Sequence, residues 1–388
     1  MPCRSQVHHI AKVTERPIVR YRRMPIEVES PEQTGYGSIA YNLAESSIAD
    51  VPFRDLNLNL NDLVLSYDDH LGKPGLREII AASSPGLHPD QVMTTVGAAA
   101  ALFIVATSLL NPGDHMVVVF PNYATNIETP RQIGANIEFH PLTFENGYQL
   151  DIDALAARIR PETRYVSITV PHNPTGSMIS EADLRRLIQI IEAKGCYLLV
   201  DETYREMGYE TVLPVAASLS PRVISVSSLS KTYGLPGIRL GWLITQNDQL
   251  RETFLAAKEQ IFINTSVLDE TVAYQYLLNK DEHLARIKAM IHKRLQIMRD
   301  WIAEEPLMEW VEPQGGVVCF PRVVASASAD MDLFYKLLLE KHGTFVGAGH
   351  WFESDRRHMR LGFGWPKEGE LISGLDQISQ TLRDVVGI

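Results

Sequence analysis

Four short apolar runs, each halted by a chemically distinctive residue, constrain the fold of this 388-residue chain most strongly. His115–Phe120 (HMVVVF) stops at Pro121, and Tyr165–Val170 (YVSITV) stops at Pro171. Tyr197–Val200 (YLLV) stops at Asp201, and Val223–Val226 (VISV) runs into a serine cluster. Helix-like stretches lie between them. In Glu181–Lys194 the apolar residues Leu184, Leu187, Ile188 and Ile191 recur at helical spacing. Strands that are apolar throughout and alternate with helices predict an α/β fold, with a mostly parallel sheet covered on both faces. Ligands of such sheets sit beyond the carboxyl ends of the strands. That is where this chain puts its unusual polar residues.

The alternation runs from about Asp90 to Trp242 and changes after about Phe254. Leu284–Glu304 reads as a long helix. Strands are expected at Gly316–Phe320, Thr344–Val346 and Met359–Phe363, and a terminal helix at Glu368–Val386. This predicts an arm over residues 1–50 packed on a small domain, a large domain over 51–275, and a small α+β domain over 276–388.

The formal net charge of -11 argues against nucleic acid or an anionic membrane as a partner. Cys3, Cys196 and Cys319 lie far apart without metal-ligand spacing, so no metal site is expected and a reducing compartment is. No run approaches the roughly 18 apolar residues needed to span a bilayer. The basic N-terminus lacks the apolar core of a secretory signal. These points together favour the cytoplasm.

The densest chemistry lies in Ser227–Trp242, SSLSKTYGLPGIRLGW. Alone, Lys231 could be an exposed lysine beside a flexible loop. Its neighbours point elsewhere. Ser228 and Ser230 offer hydroxyl donors, Arg239 offers a guanidinium fork suited to phosphate, and the glycines allow close backbone approach. A lysine among anion-binding groups suits an amine joined to a phosphorylated aldehyde.

This segment resembles the lysine signature of class I/II aminotransferases, the fold-type-I pyridoxal-5′-phosphate (PLP) enzymes. Their fold pairs a large domain, built on a mostly parallel seven-stranded sheet, with a smaller α+β domain. The likeness implies that Lys231 carries PLP through a Schiff-base link and moves the substrate α-proton. Asp201-Glu-Thr-Tyr204 resembles the family's Asp-x-x-Tyr. It implies that Asp201 pairs with the pyridine nitrogen and Tyr204 with the ring oxygen. His172-Asn173-Pro174-Thr175-Gly176 matches the Asn-Pro-Thr-Gly turn, with Asn173 on the same oxygen. Thr95-Val-Gly97-Ala98-Ala99 matches the phosphate turn, where the amides of Ala98 and Ala99 would face the anion. Tyr123 takes the place of the aromatic stacked on the ring. Ser66-Tyr67 with Gly72 and Gly75-Leu76-Arg77 resembles the segment whose tyrosine reaches the neighbouring subunit's phosphate, which implies a homodimer. His358-Met-Arg360-Leu-Gly-Phe363 resembles the strand whose arginine grips the substrate α-carboxylate.

Transfer of an amino group from an α-amino acid to a 2-oxo acid is the commonest activity implied. β- or γ-elimination or cyclisation is the alternative. The segments around Gly315-Gly316 and Met359–Phe363 are similar to capreomycidine-synthase-like cyclases, whose substrate is an arginine derivative. A non-catalytic relative would be expected to lose the lysine or the aspartate. Leu43–Asp50 departs from the family's Gly-x-Pro turn. Glu45 or Asp50 is therefore expected to face the substrate side chain and select a basic group such as that of lysine, ornithine or arginine.

Overall fold

The computed structural model describes residues 21–56 and 58–387. Cys3 and the basic N-terminal stretch up to residue 20 lie outside the described residues.

Seven strands form the central sheet: β1 (Val92–Val96), β2 (His115–Phe120), β3 (Asn136–Pro141), β4 (Thr163–Thr169), β5 (Tyr197–Asp201), β6 (Val223–Ser228) and β7 (Leu240–Thr245). Their order is β1-β7-β6-β5-β4-β2-β3. Every pair is parallel except those of β7, which runs antiparallel to both β1 and β6. The start of β7 therefore lies at the same edge of the sheet as the ends of the other strands. The alternation of side chains along a strand explains the two cores. Val117, Val119, Val166 and Ile168 face one layer with Leu184, Leu187 and Ile188. Met116, Val118, Tyr165 and Leu199 face the other with Leu102, Val105 and Phe254. Each such buried side chain contributes about 1.5–3 kcal/mol.

The helix Gly97–Leu109 starts directly where β1 ends, so its N-terminus opens onto the carboxyl edge of the sheet. Glu181–Lys194 has the expected bounds. The Ser180 hydroxyl accepts from Asp183 N at 3.0 Å to cap its start, and Gly195 ends it at φ 75°.

The long C-terminal-half helix begins at Lys280, four residues before the expected Leu284, and runs for 25 residues to Glu304. Its first turn is polar and carries no apolar signal. Ile287, Ile291, Leu295 and Met298 bury one stripe of it against Phe334, Leu361 and Phe363. The terminal helix spans Glu368–Val386 as expected. Met359–Gly362 is the middle strand of a small sheet, between Val318–Cys319 and Gly347–Ala348. Thr344–Phe345 instead pairs in parallel with Tyr41–Asn42, which stitches the N-terminal segment to this part of the molecule.

The next step of that segment depends on a missing side chain. Gly362 N donates to Leu43 O at 2.7 Å. A Cβ at Gly362 would stand 1.7 Å from Glu45 O. Only glycine lets Leu43–Glu45 lie across this strand.

Candidate active site

Six places on the sheet edge converge on one cavity of about 340 Å³. Ala98 and Ala99 come from the helix after β1, and Tyr123 from the turn after β2. Asn173 follows β4, Asp201 ends β5 with Tyr204 just beyond, and Ser228 ends β6 with Ser230 and Lys231 after it. Arg239 immediately precedes β7, and reaches the same edge only because β7 is reversed. Arg360 enters from the strand Met359–Gly362, and Glu45 from the N-terminal segment.

Asp201 is 6% exposed. Its carboxylate accepts from Thr203 N at 3.1 Å and from the Thr203 hydroxyl at 2.6 Å. Burial pushes the carboxyl up, and the Thr203 bonds oppose this. No described cationic side chain pairs with it, so an ionised Asp201 calls for a cationic partner within the cavity. The lysine loop is tied to the end of β5, because the Thr232 hydroxyl donates to Thr203 O at 2.7 Å. Its other side is held by Ile48 N, which donates to Lys231 O at 3.2 Å. Burial lowers the Lys231 amine below the usual lysine range, against the fields of Glu45, Glu32 and Glu27. That raises the fraction of neutral amine, the form that acts as nucleophile or base.

Arg360 is 4% exposed. Its Nη1 donates to Asn173 Oδ1 at 3.1 Å and its Nη2 to Ala44 O at 2.7 Å. The plane of the guanidinium lies near the Phe352 ring, 5.1 Å from its centroid. Arg360 Nε and the Tyr204 hydroxyl are buried with no hydrogen-bond partner among the described residues. Burial pushes the Tyr204 hydroxyl up to about 12, so it stays a donor at neutral pH.

These features fit PLP. The unpaired donor Tyr204 suits the ring oxygen, and the Asp201 carboxylate, which has no cationic partner among the described residues, suits a protonated ring nitrogen. The phosphate corner is kept open by two glycines. A Cβ at Gly97 would stand 2.5 Å from Arg239 Nη2, and one at Gly241 2.7 Å from Ala98 N. The first amides of the helix Gly97–Leu109 have no intrahelical partner and are available to an anion. Among the described residues no group of three or more His, Cys, Asp or Glu is arranged to hold a metal ion.

Two expected residues lie apart from this cavity. Asp50 does not line it; its carboxylate accepts from Trp365 Nε1 at 3.1 Å on the outer side of the segment. Glu45 and Asp50 were alternatives for one role, and the irregular backbone between them turns only Glu45 inward. Tyr67 is 78% exposed and also absent from the lining. Two acidic residues outside every motif read from the sequence also line it. Glu27 and Glu32 stand on the four-residue helices Pro25–Val28 and Pro31–Thr34. The prolines opening both helices were the one available signal.

Residues 59–371 match the family model described as aminotransferase class I and II. The chain is similar to capreomycidine synthase of Streptomyces vinaceus, 32% identical over 328 residues, covering 83% of this chain and 82% of that one. It is similar to the arginine–pyruvate transaminase of Pseudomonas aeruginosa, 28% identical over 328 residues, covering 82% of this chain and 81% of that one. Among solved structures, a PLP-dependent aminotransferase from Streptococcus suis superposes with a TM-score of 0.85 at 32% identity, covering 92% of this chain and 97% of that one.

Proposed function

The chain belongs to the class I and II aminotransferase family and uses PLP, and from that premise we propose that it moves the amino group of a basic α-amino acid to a 2-oxo acid. The observation that carries the substrate class is the Glu45 carboxylate, which lines the same cavity as Lys231 and Arg360. The arginine specificity named for the Pseudomonas aeruginosa relative supports it.

When bound, PLP withdraws electrons from the substrate α-carbon and so makes its proton removable. The chain's residues do the rest. Arg360 holds the α-carboxylate, and its unpaired Nε adds a donor to those of Nη1 and Nη2. The Lys231 amine would anchor the cofactor, then take the α-proton and give it to the cofactor rather than back to the α-carbon, as a base whose pKa burial has lowered. Asp201 holds a proton on the ring nitrogen, and Tyr204 and Asn173 donate to the ring oxygen. Tyr123 covers the ring. Ser228, Arg239 and the amides of Ala98 and Ala99 hold the phosphate.

The test offers L-arginine, L-lysine, L-ornithine, L-norleucine and L-glutamate with pyruvate, and follows formation of alanine. Basic amino acids should give the highest kcat/KM. A preference for glutamate or norleucine would overturn the substrate class. Asp201→Asn should lower kcat on every donor by about 10²–10³-fold, the usual loss when one preorganised electrostatic partner is removed.

The 32% identity with capreomycidine synthase favours cyclisation of an arginine derivative as the second reading. Consumption of the donor without alanine, giving ammonia or a ring product, would select it.

The homodimer belongs to this proposal. Phe53, Val64, Leu65 and Tyr67 are 61%, 73%, 77% and 78% exposed on one stretch of chain, an apolar surface suited to a second copy. Tyr67 would there complete the partner's phosphate site. Tyr67→Phe should raise the cofactor dissociation constant about tenfold or more, and sedimentation should give a dimer. No described helix is long and apolar enough to cross a membrane. A cytoplasmic location fits the free, buried Cys196 and Cys319.

A further inference from the structure

Three carboxylates of the N-terminal segment, Glu27, Glu32 and Glu45, line the active-site cavity. None has a cationic partner among the described residues. The Tyr36 hydroxyl donates to Glu45 Oε1 at 3.0 Å, and the Tyr123 hydroxyl to Glu27 Oε1 at 3.3 Å. Glu32 has no side-chain hydrogen bond at all among the described residues. All three are close enough to act on the Lys231 amine. In the same cavity Arg360 is 4% exposed and its Nε is buried without a hydrogen-bond partner among the described residues, so the cavity holds an unfilled cationic donor together with carboxylates that have no cationic partner.

The segment that carries these carboxylates is docked at several points. Glu29, on the same segment, accepts from His350 Nε2 at 2.8 Å and from Trp351 Nε1 at 2.7 Å, which docks the first short helix beside the cavity. Tyr36 stacks on Trp365 with centroids 6.0 Å apart and planes 15° apart, and Asp50 fixes the indole through its 3.1 Å bond. Asp50 thus acts on Glu45 through Trp365 and Tyr36, although it does not face the cavity.

One ammonium is a compact charge with three donors and satisfies one carboxylate well. A guanidinium presents five N–H groups in a plane, is more weakly hydrated, and can serve two carboxylates together. Resting on the proposed preference for basic amino acids, we propose that Glu27, Glu32 and Glu45 form a three-carboxylate receptor for a substrate guanidinium. Tyr36 and Asp50 are its positioning residues. The cavity then holds an α-carboxylate at Arg360 and a distal planar cation at the N-terminal segment.

The test measures kcat/KM of the cofactor-loaded enzyme for L-arginine, L-lysine and L-norleucine, in wild type and in Glu27→Gln, Glu32→Gln and Tyr36→Phe. Calorimetry with 5-guanidinopentanoate and hexanoate, which lack an α-amine and cannot react, adds a binding readout. Arginine should exceed lysine in wild type. Glu27→Gln and Glu32→Gln should each lower the arginine-to-norleucine ratio about tenfold or more, the worth of one charge-assisted hydrogen bond. They should weaken 5-guanidinopentanoate far more than hexanoate. Tyr36→Phe should move the same ratio in the same direction through KM rather than kcat. A carboxylate whose Gln variant leaves both ratio and binding unchanged is not part of the receptor, and this result at both Glu27 and Glu32 overturns the proposal. Lysine equal to or better than arginine in wild type overturns the guanidinium assignment alone. A wild-type preference for norleucine over both basic amino acids strikes the proposed function itself.

Discussion

Replacing Gly362 by alanine tests how the acidic side of the site is held in place. The new Cβ would stand 1.7 Å from Glu45 O and 2.9 Å from its carbonyl carbon. Ordinary contact begins near 3.4 Å, so the Leu43–Glu45 backbone must withdraw by about 1.7 Å or the strand must bend by as much. Withdrawal breaks the 2.7 Å bond from Gly362 N to Leu43 O. It also pulls Ala44 O from Arg360 Nη2, now 2.7 Å away. Overpacking costs about 1–3 kcal/mol and the lost backbone bond about 0.5–1.5 kcal/mol, so about 1.5–4.5 kcal/mol of stability is at stake. Function should suffer more than stability. A misplacement of about 1 Å lowers rate by about 10²-fold, and here it moves both Glu45 and Arg360, the residue proposed to hold the substrate carboxylate. Thermal denaturation of the holoenzyme should show a clear drop in midpoint. Steady-state kinetics should show about 10²-fold lower kcat/KM for a basic donor, with a smaller loss for norleucine. Gly369→Ala is the control, because a Cβ there meets nothing within 4 Å. A Gly362→Ala enzyme with unchanged midpoint and unchanged kcat/KM for basic donors would refute the reasoning.

Other perturbations probe separate parts of the molecule. Arg360→Lys keeps the charge but loses the planar fork that bridges Asn173 and Ala44, so KM for every amino donor should rise on the order of 30-fold, as measured by initial rates. Burial raises the Glu202 carboxyl to about 7 in the fold. Its stabilising contribution is therefore full below the unfolded value near 4.3 and is lost as pH rises through about 7. Chemical denaturation from pH 5 to pH 8 should show that decline, and Glu202→Gln, which still accepts from Ala216 N, should flatten it. Lys258 and Glu270 are both 0% exposed and meet through the Thr94 hydroxyl, at 3.2 and 2.6 Å. Glu270→Leu should destabilise the protein by about 3–5 kcal/mol, seen as a lower denaturation midpoint, because it strands a buried ammonium.

The sheet was legible because its inner strands are apolar on both faces and each ends at a residue that cannot continue it. Asp201, Asn173 and Lys231 could be placed at one edge before any coordinates, since parallel strands bring their ends together. The edge strand Asn136–Pro141 was not legible, because half-exposed residues such as Ile137 and Glu138 leave no continuous apolar run. The contact between Arg360 and Asn173 spans 187 positions and no local pattern encodes it. Glu27 and Glu32 sit on single helical turns, too short for any period to emerge. Between Glu45 and Asp50 the backbone has no regular repeat, so spacing could not say which would turn inward. Gly362 could be read as part of a motif, but its close approach to Glu45 is a fact of tertiary structure alone.

The parallel pairing of Tyr41–Asn42 with Thr344–Phe345 has an evolutionary consequence. Residues proposed to handle the cofactor are spread over the sheet edge from Ala98 to Arg239, all lining one cavity. Glu27, Glu32 and Glu45 all precede the first strand of the central sheet, on a segment joined to the rest by a short ladder, side-chain clasps and backbone bonds. On the proposed function, selectivity resides in residues 21–50, apart in sequence from the reaction machinery of the sheet edge but bonded to it at Arg360 and Lys231. Exchange of that segment between relatives would change which amino acid is accepted only where the incoming chain keeps the bonds from Ala44 O to Arg360 and from Ile48 N to Lys231 O.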